Sequence, residues 1–164
     1  MLFRSERWRG FWRLKPAERR IVLEAAAALS ATWAGVRVLG FRRWNATVER
    51  STLEKSAEAD RHKPSRVNPS TVDMASFIAT RLDLAARNMF FRTNCLERSL
   101  ALRWLLSRRG IATDLRIGAR KESELFEAHA WIELDGVVLN DPEEAHLHFA
   151  PFKGEITALE TQAR

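Results

Sequence analysis

The chain has one cysteine, Cys95, among its 164 residues. A single thiol excludes an internal disulfide, and it leaves too few soft ligands for a structural zinc site of the usual Cys/His kind. The opening stretch, "MLFRSERWRGFWRLK", holds neither an apolar h-region nor a small-residue cleavage site, so no signal peptide is expected. No uninterrupted apolar run reaches the roughly 20 residues that span a bilayer. The longest, from Ala25 to Val36, is bounded by Glu24 and Arg37 and reads as a buried core helix. Internal repeats and low-complexity segments are absent. These absences point to a reduced, cytoplasmic protein with no metal and no cofactor. What is present suits one domain of ordinary size, with 46% apolar residues for a core.

Charge is unevenly placed. Residues 1 to 50 carry 11 Lys+Arg against 4 Asp+Glu, a balance of +7, so the rest of a chain of net charge +6 balances at −1. A basic arm interleaved with Trp and Phe suits nucleic acid, an anionic membrane surface or an acidic peptide, and equally a solvated helix face with no specific partner.

Along the chain, "KPAERRIVLEAAAALSATWAGVRVLGF" reads as a long helix opened by Pro16. Residues 45–70 are polar, lack a sustained apolar face, and with Pro64, Asn68 and Pro69 read as a linker. A second helix follows, with Ser70 or Thr71 as its cap and Met74, Phe77, Ile78, Leu82 and Ala85 at core spacing. A third, strongly apolar helix starts near Cys95 and ends in "SRRG", where Gly110 suits a left-handed cap. The period then changes to two. In "TDLRIGARK", Leu115, Ile117 and Ala119 share a face. In "FEAHAWIELDGVVLND", Phe126, Ala128, Ala130, Ile132 and Leu134 face one way, with Glu127, His129, Trp131 and Glu133 opposite. Helices first and an antiparallel sheet after them make the fold class α+β.

Cys95 at a helix N-terminus is placed either as a small buried hydrophobe or as a nucleophile, its thiolate supported by the helix dipole and unpaired amides. A nucleophilic thiol needs a base, and the base an orienting group. Of the four histidines, His62 falls in the linker, and His146 and His148 fall in an irregular tail with no obvious third metal ligand. His129 stands on the polar face of a strand between two alanines. Asp141 follows at the end of the next strand. In a two-residue Asp135–Gly136 turn, His129 would lie opposite Pro142. In a three-residue turn with Gly136 in a bulge, Glu133 pairs with Val137 and His129 faces Asp141. The expectation is therefore the bulged, three-residue hairpin. Glu127 and Trp131, on the same face, read as exposed strand residues rather than groove-lining ones.

Taken together, "NCLERSLALRWLLSRRGIATDLRIGAR" and "FEAHAWIELDGVVLND" resemble the transglutaminase-like cysteine peptidases of lasso-peptide biosynthesis, the leader peptidases or B proteins, over roughly residues 70 to 152. The resemblance implies a transglutaminase-like, papain-like core over residues 61–164, preceded by a basic helical region and polar linker over 1–60. It implies a catalytic triad of Cys95 as nucleophile, His129 as general base and acid, and Asp141 as orienting residue, which cleaves the leader from a ribosomally made precursor through a thioester. It further implies the split form, without a leader-recognition domain of its own. Its partners are then the precursor peptide, a separate leader-recognition protein and an asparagine-synthetase-like cyclase that acts after cleavage. Nucleic acid is not among them, and weak membrane-surface contact is left for residues 1–50. Two other readings remain: a transglutaminase-like acyltransferase or amide-crosslinking enzyme, in which an amine replaces water, and a non-enzymatic adaptor using the basic arm.

Overall fold

Pro16 sets φ in the first turn of helix α1 (Pro16–Leu39) without removing a needed hydrogen bond. Its far end stops at Gly40, which adopts a φ of 78° while its amide donates to the Val36 carbonyl at 3.1 Å. The chain turns there and starts α2 (Phe41–Ala59). A computed structural model describes residues 11–59, 68–122, 125–141 and 145–151 of the chain. His62, Pro64, the first ten residues and the chain after Pro151 lie outside the described residues.

Helix α2 corrects the expected linker over its first half. Its apolar stripe is too narrow to read as periodic, but it suffices. Val48 is 2% exposed, and Trp44 meets Trp104 edge-on, with ring centroids 6.2 Å apart. Gly35 of α1 lets Trp44 approach, since a Cβ there would overlap the indole. The polar side is tied as well: Glu49 accepts from Asn45 at 3.0 Å and from Arg103 at 3.2 Å.

Helix α3 (Pro69–Asn88) is capped by Asn68, whose side chain accepts from the Ser70 amide at 3.2 Å, so the cap lies ahead of the expected Ser70 or Thr71. It buries Ala75, Ile78, Ala79, Leu82, Ala85 and Ala86. The expected core residue Met74 is instead 55% exposed, because the small alanines turn toward the neighbouring helices and let them approach closely. Helix α4 (Cys95–Ser107) has no polar face to show: Glu97, Ser99, Leu100, Ala101, Leu102, Leu105 and Leu106 are all buried. It packs against α1, α2, α3 and the sheet, and is the central element. Its end follows the sequence, with Gly110 at φ 73° and the Ile111 amide donating back to the Leu106 carbonyl at 3.0 Å.

Four antiparallel strands follow: β1 (Asp114–Glu122), β2 (Leu125–Leu134), β3 (Val137–Val138) and β4 (Ala150–Pro151), in the order β3-β2-β1-β4. A short 3-10 turn, Ala145–His148, precedes β4. Ala130, Ile132 and Leu134 enter the core from β2, while Phe126, at the start of the same face, is 78% exposed where the strand runs past the helices. The fold is α+β, helices first and antiparallel sheet after.

By length and composition α1 could cross a membrane. Its Val22, Ala25, Ala28 and Leu29 nevertheless share one core with α3, α4 and Ile132 and Leu134 of β2. Helix α1 is thus built into the domain rather than appended to it.

Candidate active site

The first turn of α4 is held by a reciprocal cap. The Asn94 side chain accepts from the Glu97 amide at 2.8 Å, and the Glu97 carboxylate accepts from the Asn94 amide at 3.0 Å. Glu97 is 2% exposed, and its other oxygen meets Arg37 of α1 at 2.5 Å. A charge this deep is tolerated because both oxygens are paired. Arg98 adds a second clamp, donating to Thr93 at 3.1 Å and lying 3.4 Å from Asp83. Cys95 is the first residue of this helix and is partly buried. The cap uses the Glu97 amide and leaves those of Cys95 and Leu96 without a partner among the described residues. The thiol therefore sits beside unpaired N–H groups at the positive end of a helix dipole.

His129 projects from the face of β2 opposite the core, inside a run of rings. It stacks on Trp131 with centroids 5.9 Å apart and lies 5.2 Å from Phe149, and Trp131 in turn lies 5.8 Å from His146. Trp131 is only 3% exposed, which corrects its reading as a surface residue; its indole N–H donates to Glu133 at 2.8 Å. Glu127 is exposed and pairs with Arg120. The rings fit because the strand neighbour opposite His129 is Gly118. A Cβ there would come within 2.8 Å of Phe149 and 3.1 Å of Trp131.

The hairpin does not bulge at Gly136. Leu134 pairs with Val137 and Glu133 with Val138, across a two-residue turn in which Asp135 (φ 48°) and Gly136 (φ 81°) are both left-handed. The register is the one that would have carried Asp141 away from His129. It does not, because the ladder breaks later, at Asn140. The Leu139 amide still donates to the Ile132 carbonyl at 3.0 Å, but the Ile132 amide donates to the Asn140 side chain at 2.7 Å. Asn140 in turn donates to Ser99 of α4 at 2.9 Å, and Ser99 donates to the Ala130 carbonyl at 3.0 Å. With a side-chain oxygen taking the ladder position, the backbone leaves the sheet and Asp141 swings back over β2. One Asp141 oxygen lies 3.4 Å from His129 Nε2. That separation is an ion-pair distance, and buried Nε2 has no hydrogen-bond partner among the described residues.

The structure thus brings His129 and Asp141 together. Cys95 makes no hydrogen bond or ion pair with either among the described residues. It is tied to them through Ser99, one helical turn along α4, which holds the residue next to His129.

A family model described as the transglutaminase-like superfamily matches residues 35–153. The chain belongs to this superfamily. The chain is also similar to the microcin J25-processing protein McjB of Escherichia coli, 41% identical over 51 residues, which cover 31% of this chain and 24% of that relative. The chain thus spans about a quarter of that relative's length. No solved structure matches it significantly. The matched segment begins at residue 35, near the end of α1, and takes in α2, α3, α4 and the sheet.

In this transglutaminase-like chain Asp141 is 5% exposed at its side chain. Burial pushes its carboxyl up. Hydrogen bonds from the His146 amide and ring, together with the charges of His129 and His146, outweigh that and hold it below the ordinary carboxylate value. Sequence reasoning missed Ser99, Gly118, Asn140 and His146. Among the described residues, no group of three or more His, Cys, Asp or Glu could hold a metal ion, and His146 turns its Nδ1 to Asp141.

Proposed function

We propose that the chain is a cysteine peptidase that removes the leader from a ribosomally made lasso-peptide precursor. The observation that carries this is the His129–Asp141 pair, with His129 on the strand that packs against the helix beginning with the chain's only cysteine. The similarity to McjB supports the substrate class.

Asp141 engages Nε2 of His129, which leaves Nδ1 to take the proton from the Cys95 thiol. At 3.4 Å this contact is not a hydrogen bond, and catalytic contacts of this kind commonly tighten into one on substrate binding. The thiolate attacks the carbonyl carbon at the leader–core junction, and the oxyanion is received by the free Cys95 amide. His129 gives its proton to the departing amine, the C–N bond breaks, and a thioester to Cys95 is left. Water then attacks the thioester with His129 as base, and the acid product and the thiol are released. A separate leader-recognition protein presents the precursor, and an asparagine-synthetase-like cyclase takes the cleaved core.

The test incubates the protein with a lasso precursor peptide and its leader-binding partner and weighs the products. The expected result is two fragments whose masses sum to the precursor plus one water, and none with Cys95→Ala or His129→Ala. Asp141→Asn is expected to lower the rate by about three to four orders of magnitude, by analogy with the serine triad. Cleavage that persists in Cys95→Ala would sink the proposal. A product joined to an amine in place of water would assign acyl transfer instead.

A further inference from the structure

We propose that His146 is a positioning residue, which fixes the rotation of the Asp141 carboxylate so that one oxygen faces His129. The inference rests on the Cys95–His129–Asp141 reading given above and adds a fourth side chain to it.

The two oxygens of Asp141 are used differently. Oδ1 lies 3.4 Å from His129 Nε2. Oδ2 receives two donors from one residue: the His146 amide at 2.5 Å and the His146 ring Nδ1 at 2.8 Å. The last torsion of an aspartate is soft, so an unsupported carboxylate turns freely and presents either oxygen, or neither, to a neighbour. Two donors converging on Oδ2 remove that freedom, and at 5% exposure little water competes. A carboxylate only accepts, so His146 Nδ1 carries the proton, whether the ring is neutral or charged. The ring is held in place by Trp131, 5.8 Å away, the same indole on which His129 stacks at 5.9 Å. One tryptophan therefore aligns both histidines on one carboxylate. The 3-10 turn supports the arrangement from below, with the Phe149 amide donating to the His146 carbonyl at 3.1 Å.

The chemistry of substitution separates these contributions. Any residue but proline keeps the amide bond to Oδ2. His146→Phe keeps a ring over Trp131 and loses only the Nδ1 donor. His146→Asn loses the ring but places an amide N–H close to where Nδ1 stood.

The experiment needs no peptide substrate. Because Cys95 is the only cysteine, iodoacetamide adds one mass increment at one position, and its rate reports how readily the thiol gives up its proton to His129. Alkylation is followed by mass spectrometry across the pH range in the parent, His146→Phe, His146→Asn and His129→Ala, with circular dichroism and thermal midpoints confirming folded protein. His146→Phe is expected to react about tenfold more slowly than the parent at mildly acid pH, the scale of one lost charge-assisted hydrogen bond, with the difference closing at alkaline pH. His146→Asn is expected to recover most of the rate. If the Phe variant is unfolded, His146→Leu serves the same comparison with Asn. Parental rates in His146→Phe, with His129→Ala slow, overturn this proposal and leave the triad reading standing. Equal slowing in Phe and Asn also overturns it, since packing rather than donation would then matter. Parental rates in His129→Ala overturn both.

Discussion

At Asp141 one carboxylate serves two histidines, and its ionisation is coupled to folding. Its folded value lies below the 3.8 of an ordinary aspartate, so the charged form stabilises the fold above that range. That contribution fades as pH falls through the folded value. Urea midpoints taken from about pH 6 down to about pH 3 are therefore expected to fall less steeply in Asp141→Asn than in the parent, where folding must keep this carboxylate charged. Gly118 makes a second prediction at this scale. The added methyl of Gly118→Ala would sit 2.8 Å from Phe149 and 3.1 Å from Trp131, so about 1–3 kcal/mol of stability is expected to be lost, read from the same urea melts. Cys95, His129 and Asp141 could be singled out in the sequence by residue type and place, at a helix start, on a strand's polar face and after a hairpin; the structure brings the last two together, and the roles of all three belong to the proposal. Gly118, Asn140 and His146 were not singled out. Each acts on a partner that is remote along the chain or in an irregular turn, and an isolated Gly, Asn or His carries no periodic signal.

At the scale of elements, the hairpin shows how far local patterns reach. The Asp-Gly turn was evident, and both of its residues are left-handed as a type I′ turn requires. Gly136→Ala is expected to cost about 1–2 kcal/mol, measured as a lowered urea midpoint, with iodoacetamide labelling of Cys95 unchanged. The register was misjudged for a physical reason. Placing Asp141 over His129 was assumed to need a regular ladder up to the aspartate, whereas the Asn140 side chain breaks the ladder after Leu139. Helix α2 escaped for a related reason: two apolar contacts one turn apart, Trp44 and Val48, are enough when α1 and α4 supply the other walls.

Across the whole molecule, the four helices and the inner face of the sheet stand or fall together. Leu29 of α1 is fully buried, at 0% exposure, in the core that also holds Leu82, Leu102 and Ile132. Leu29→Ala is expected to cost about 2–5 kcal/mol. Far-ultraviolet dichroism and tryptophan fluorescence are expected to report one coincident transition, because the N-terminal helices have no separate core in which to unfold. The class, helices then antiparallel strands, was legible from the change of period after Gly110. That α1 packs inside was legible too, because its apolar run from Ala25 to Val36 is bounded by Glu24 and Arg37 and is too short to span a bilayer. Its small face, made by Ala25, Ala28 and Gly35, lets neighbours approach closely.

The Ser99–Asn140 link has a consequence for anyone who wishes to instrument this protein. The residue before Asp141, Asn140, is anchored to the central helix through Ser99, so the position of the carboxylate does not depend on the hairpin tip. A reporter loop spliced between Asp135 and Gly136 is expected to leave the labelling rate of Cys95 at its parental value. The same graft between Leu139 and Asp141 would cut the anchor itself and silence the thiol.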